Sequence, residues 1–154
     1  MKQIILDAVL QNLEDELARQ LKANIQSNAG AALSAPSAEK QRDTTGFESA
    51  YLARGYARNA LQIQHQIDDL KTMQLEDFTG QEIDVGAIVE VDMAGETDCY
   101  MLLNCAGGTE VVADDVKVTV ITPESPLGAA LMGNIEAGFV ELSSGLEGII
   151  LSVW

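Results

Sequence analysis

Apolar positions in the first quarter of the chain recur at helical spacing. Leu6, Leu10, Leu13, Leu17, Leu21 and Ile25 are separated by four, three, four, four and four residues, a stripe along one side of a helix. Glu14, Asp15, Glu16, Arg19, Gln20 and Lys22 fill much of the remaining surface. The pattern predicts a first helix over residues 2–27, roughly 35–40 Å long, that stops in Asn28-Ala29-Gly30. Residues 29–45 are rich in small side chains and broken by Gly30 and Pro36, so they read as a loop or tip, long for a simple turn. A second helix is expected over residues 47–73, where Leu52, Tyr56, Ala60, Ile63, Ile67 and Leu70 form a heptad-like seam. Two helices of similar length with facing stripes make an antiparallel hairpin the simplest arrangement. Gly55 sits inside the second helix, where it costs ~1 kcal/mol relative to Ala.

After residue 75 the period changes to that of strands. Strands are expected over 87–93, returning after a turn at 94–97 over 98–104, then over 109–112, 116–121, 139–142 and 147–153. Residues 81–84 read as a turn or a first strand, and Gly107-Gly108 and Ser143-Ser144-Gly145 break the run. Between the fourth and fifth of these strands lies Ile121-Thr122-Pro123-Glu124-Ser125-Pro126-Leu127-Gly128-Ala129-Ala130-Leu131-Met132-Gly133, which reads as strand end, cap, short helix and stop. Ser125 can cap with its hydroxyl, and Pro126 suits the first helical position because its missing N–H would be unpaired there anyway. Leu127, Ala130 and Leu131 fall at i, i+3 and i+4, and Gly133 can end the helix in the left-handed conformation. So short a helix needs a surface to pack on, which the neighbouring strands supply. The expected class is α+β: a helical hairpin over 1–75 with its tip near 28–46, then a small antiparallel β domain with one short helix over 76–154.

Charge sharpens this division. Residues 1–75 hold eight basic and nine acidic side chains, whereas residues 76–154 hold one base, Lys117, and fifteen acids, a net of −14. So acidic a domain is repelled by nucleic-acid phosphates, so any nucleic-acid role would run through a protein partner; solubility alone accounts for the acids equally well. No apolar run approaches the ~18 residues of a membrane span, and the start, Met1-Lys2-Gln3-Ile4-Ile5-Leu6-Asp7, does not read as a secretory signal. Cys99 and Cys105 lie in apolar surroundings and read as buried thiols, with a disulfide or redox pair as the lesser alternative. A cytoplasmic location follows. His65, the only histidine, lies off the seam, so neither a zinc site nor a catalytic triad is suggested. Gly107-Gly108 lacks the Lys and the context of a phosphate loop.

The stretch 121–133 resembles the C-terminal domain of Gre-type transcription elongation factors, the GreA/GreB family, in which a hydrophobic strand leads into Ser-Pro, a short helix and a Gly. The strand order over 86–154 is similar to that domain as well, and residues 1–75 resemble the family's coiled coil in architecture. The resemblance implies an FKBP-like domain that binds bacterial RNA polymerase, with a coiled coil inserted into the secondary channel. The family's tip acids help hold a second Mg²⁺ at the polymerase active site and so promote hydrolysis of the backtracked transcript. Carboxylates suit that task because Mg²⁺ prefers hard oxygen ligands. On this reading the chain has no catalytic residues, metal or cofactor of its own; Mg²⁺ is shared with the polymerase, nucleic acid is met only within that complex, and the working form is a monomer away from membranes.

Carried onto this sequence, the resemblance assigns Asp43 and Glu48 as tip acids. The family pattern places a Glu three residues after the Asp, where this chain has Gly46; Glu48 is five on. A turn or cap role for Asp43 and a first-turn acid favoured by the helix dipole for Glu48 account for the same residues without metal. Arg54 and Arg58, at i and i+4, match a basic face that contacts the RNA end in the family, or an ordinary solvated face paired with acids of the first helix. Polymerase docking is assigned to Ser125, Pro126, Leu127, Leu131 and Gly133. Two alternatives stand beside this function: a polymerase binder without cleavage activity, of the nucleoside-diphosphate-kinase-regulator type, and an FKBP-like isomerase or chaperone whose pocket would draw on Phe78, Tyr100, Phe139 and Trp154. The second rests on fold alone.

Overall fold

The computed structural model describes residues 1–34 and 44–154. Two helices, α1 (Lys2–Ser34) and α2 (Thr44–Thr72), are followed by β1 (Ile88–Met93), β2 (Glu96–Leu102), β3 (Glu110–Ala113), β4 (Val116–Ile121), the short helix α3 (Pro126–Leu131), β5 (Phe139–Glu141) and β6 (Glu147–Val153). This is the expected α+β class. The chain divides into two compact units, Leu10–Thr72 and Met1–Val9 together with Met73–Trp154.

In the helical unit both helices are longer than their patterns predict. α1 runs through Asn28-Ala29-Gly30 to Ser34, and α2 begins at Thr44. Ala29, Ala31 and Ala32 flank Gly30, and Ala, the best helix former, offsets the ~1 kcal/mol cost of that Gly. Of the expected tip, residues 35–43 lie outside the described residues.

The seam also departs from the pattern. On α2, Ala53, Ala60, Ile67 and Leu70 are buried and Tyr56 and Ile63 half-buried, while Leu52 is 51% exposed. On α1, Leu10, Leu13 and Leu17 are half-buried, but Leu21 is exposed and Ile25 is 68% exposed, and the half-buried places beyond Leu17 go to Gln20, Ala23 and Asn24. The reason is rotational. At 3.6 residues per turn each four-residue step overshoots by ~40°, so three in succession carry Ile25 about 120° from Leu13. Only alternation of threes and fours keeps a seam facing its partner, and on α2 it is Ala53, three before Tyr56, that satisfies it. Glu14 and Lys71 join the two helices by an ion pair of 2.8 Å, exposed and therefore of small worth.

In the other unit six strands form one sheet in the order β3-β4-β2-β1-β6-β5. The antiparallel sheet expected from the sequence holds for every neighbouring pair but one: β2 and β4 run parallel, Cys99 beside Val118 and Leu102 beside Ile121. The β3–β4 hairpin is set beside β2 by its second strand, which points the way β2 does. Two-residue turns fix the registers of the β1–β2 and β3–β4 hairpins. Ala94 and Gly95 (φ 56° and 88°) join β1 to β2, and Asp114 and Asp115 (φ 52° and 63°) join β3 to β4. Left-handed pairs match the twist of the strands they connect, and Asp tolerates this conformation better than most side chains.

On one face of the sheet, Val89, Val91, Leu102, Ile121, Val140, Ile150 and Val153 form a core with Phe78, Ile83, Ala87 and Leu131. The other face carries Ile88, Met101, Val118 and Val120, all fully buried, in the same unit as the fully buried Ile5 and Val9. Lys2 ties the start of α1 in: its ammonium donates to the Glu76 carbonyl and stands 4.8 Å from the centre of the Phe78 ring. Half-buried Trp154 extends the pairing of β6 with β1 by exchanging two backbone hydrogen bonds with Ile88, of 2.8 and 3.0 Å. Cys99 and Cys105 are buried, and burial, with Glu90 and Asp98 nearby, pushes the Cys99 thiol up, away from the thiolate that redox chemistry uses. Among the described residues no helix is long and apolar enough to cross a membrane.

The rotated seam makes a prediction against sequence hydrophobicity. Ile25→Gln changes stability by no more than ~0.5 kcal/mol, whereas Ile67→Ala costs ~2–5 kcal/mol. Urea denaturation followed by circular dichroism measures both; a large loss at Ile25 would contradict the seam.

Candidate functional site

Two regions carry the candidate residues. The first is the β4–α3 corner, built on one carbonyl. The Thr122 oxygen accepts the Ser125 N–H at 2.9 Å and the Ser125 hydroxyl at 2.7 Å. The same hydroxyl oxygen accepts the Gly128 N–H at 3.1 Å, so Ser125 is the cap of α3, and Pro126 follows in its first turn. Gly128 lies on top of this corner. A Cβ there would stand 2.0 Å from the Thr122 oxygen, a separation only a glycine avoids. Sequence pattern alone did not mark Gly128, because it sits on the buried side of a helix where any small apolar residue fits the periodicity.

The end of α3 is fixed as firmly. The Met132 N–H donates to the Gly128 carbonyl at 3.0 Å, and Gly133, at φ +75°, donates its N–H to Ile83 at 2.9 Å. Leu131 is fully buried in the sheet core, with Leu127, Ala130 and Met132 packed against it. Of the five residues assigned to docking, Leu131 therefore positions the helix, Ser125 and Leu127 are half-buried, and Pro126 and Gly133 are exposed. Glu124 and Ala129 share the solvent side with them. The result is a rigid, weakly polar knob at the corner of an acidic unit.

The second region is the outer part of α2. Glu48, Arg54 and Arg58 are all exposed, and Asp43 lies outside the described residues. Because α2 begins at Thr44, Glu48 lies beyond the first turn, where the dipole that would favour a first-turn acid has faded. Among the described residues no carboxylate forms an ion pair with Arg54 or Arg58. Tyr51, which no sequence pattern marks, is 78% exposed beside them. Tyr51, Arg54, Gly55, Arg58 and Asn59 line a shallow groove of about 380 Å³. A second hollow of about 500 Å³ brings Glu48 together with Ala50, Tyr51 and Arg54. Gly55 has nothing within 4 Å of where a Cβ would stand.

Other chemistry finds less support in the geometry. Among the described residues no three His, Cys, Asp or Glu side chains stand together to hold a metal, and His65 is exposed. Of the aromatics named for an isomerase pocket, Phe78 is in the sheet core with Tyr100 packed against that core, Trp154 is half-buried and Phe139 is exposed.

No family model and no curated protein matches the sequence. Among solved structures the chain is similar to the GreA factor homolog 1 (Gfh1) protein of Thermus thermophilus, at 20% identity over 94% of each chain with a TM-score of 0.38. It is also similar to Thermus aquaticus Gfh1, at 20% identity over 96% of this chain and 94% of that one with a TM-score of 0.39. A further structure, described as the transcription factor Gfh1, is 19% identical over 94% of this chain and 92% of that one, again with a TM-score of 0.39.

Overpacking the corner gives a direct check on its geometry. Gly128→Ala is expected to cost ~1–3 kcal/mol or more, because the methyl group meets backbone that cannot yield, and Ser125→Ala ~1 kcal/mol as a lost cap. Thermal and urea unfolding measure both. A neutral Gly128→Ala would mean that α3 does not sit on the Thr122 carbonyl.

Proposed function

We propose that this chain is a Gre-like factor that binds bacterial RNA polymerase at its secondary channel and acts on backtracked complexes. The observation that carries the reading is the β4–α3 corner. The sequence stretch that resembles the Gre family folds as a strand end, a Ser-Pro cap, a two-turn helix and a left-handed Gly, which holds one exposed surface rigidly. In this reading Glu124, Pro126 and Ala129 meet the polymerase, while Leu131 and Gly128 keep that surface in place. The helix pair, whose α2 has 29 residues, has the reach to enter a channel: roughly 40 Å at 1.5 Å per residue.

Inside the polymerase the chain's own residues would position rather than catalyse. Arg54 and Arg58, unpaired among the described residues, suit phosphate oxygens, and Tyr51 offers a ring on which a base can stack. Glu48 is exposed, and its carboxylate is a hard oxygen donor of the kind Mg²⁺ takes. One carboxylate is not a metal site, so the ion would be the polymerase's own, with Glu48 and Asp43 contributing oxygens to it. The metal's part is to activate water and stabilise the leaving oxygen of the RNA. A second reading, occupation of the channel without cleavage, is favoured by one feature: Gly46 stands where the family pattern has its Glu.

The test is a binding and cleavage assay on core RNA polymerase in a stalled, backtracked elongation complex. The chain is expected to bind, to compete with a cleavage-active factor, and to lose affinity on Ala129→Arg, which leaves the core of the sheet unit untouched. If it stimulates cleavage, Asp43→Ala and Glu48→Ala each reduce the rate on the order of tenfold or more. Competition without cleavage supports the second reading. Absence of binding overturns both.

A further inference from the structure

We propose that the outer side of the β5–β6 hairpin is a second docking surface, distinct from the α3 corner, for a protein surface that presents Lys or Arg around an apolar centre. This rests on the reading above in taking that surface to be one of RNA polymerase. Phe139 is 78% exposed and lies directly opposite Ile149, 42% exposed, while Leu151, near the register shift between β1 and β6, is 43% exposed. Val140, between Phe139 and Glu141, is turned into the core, so the exposed face of β5 is Phe139 and Glu141. A large aromatic held this open on a short edge strand is the kind of anchor that dominates interfaces.

The charges beside this patch say what covers it. Glu141 lies directly opposite Glu147, both exposed, and like charges in that position repel. Nothing in the same unit balances them. Its basic side chains are Lys2 and Lys117; Lys2 is held by the Glu76 carbonyl and Lys117 by Glu110 at 2.7 Å. An acid pair two residues along from an apolar pair therefore awaits cations supplied from outside. A second copy would bring the same acids against themselves, nucleic acid would bring phosphates, and an anionic membrane would bring like charge; each is disfavoured on electrostatic grounds. A basic protein surface with an apolar centre satisfies both pairs at once.

The experiment measures affinity for purified core RNA polymerase over a range of salt concentrations, with sedimentation of the free chain alongside. Phe139→Ser is expected to weaken binding at least about tenfold without lowering the melting temperature, since the ring is exposed. Glu141→Gln combined with Glu147→Gln is expected to raise the melting temperature, by removing the repulsion, yet to weaken binding and flatten its salt dependence. That opposition between stability and affinity is not produced by a structural role. Wild-type binding that both variants retain overturns this surface while leaving the α3 reading intact. No binding by the wild-type chain overturns the functional reading and this occupant with it. A concentration-dependent dimer that Phe139→Ser abolishes would assign the patch to a second copy and overturn the proposal.

Discussion

The contact between Gly128 and the Thr122 carbonyl is the constraint on which the β4–α3 corner depends. A helix of six residues has no stability of its own, so α3 exists only because its first turn is pressed onto the end of β4 and its last residue, Leu131, is sunk in the core. The approach is close enough to forbid a side chain at 128. Ser125 links the two halves of the contact: its hydroxyl donates to the carbonyl on which α3 rests and accepts from the glycine that rests there. The exposed side of α3 is consequently as rigid as the sheet beneath it, which suits a docking surface, where preorganisation lowers the entropic cost of binding.

Much of this was legible in the sequence, for physical reasons. Ser125, Pro126 and Gly133 each have a narrow local role, and each is found in it. The strand β6 follows from an apolar run between a Ser-Ser-Gly turn and the end of the chain. What was not legible depends on rotation or on partners far along the chain. Leu21, Ile25 and Leu52 look like seam residues when spacings are counted one step at a time; their exposure follows only from the accumulated drift. The parallel pairing of β2 with β4 is a choice between two ends of a hairpin that both carry strand-like patterns. Tyr51 carries no signal because it lies off the apolar seam, where a lone aromatic fits neither the core pattern nor any motif.

The two units differ in how they can meet a partner. Over residues 1–75 acids and bases nearly balance, and Arg54 and Arg58 are exposed on α2, with no ion pair among the described residues. Residues 76–154 are strongly acidic, so their association depends on a basic counterpart and weakens with salt.

Entry of the helix pair into the polymerase channel can be read by site-specific crosslinking. A photoreactive residue placed at Arg58 of the full chain, bound to a backtracked elongation complex, is predicted to crosslink the 3′ end of the transcript or the channel walls beside it. Crosslinks confined to the outer surface of a polymerase that the chain still binds would contradict the account.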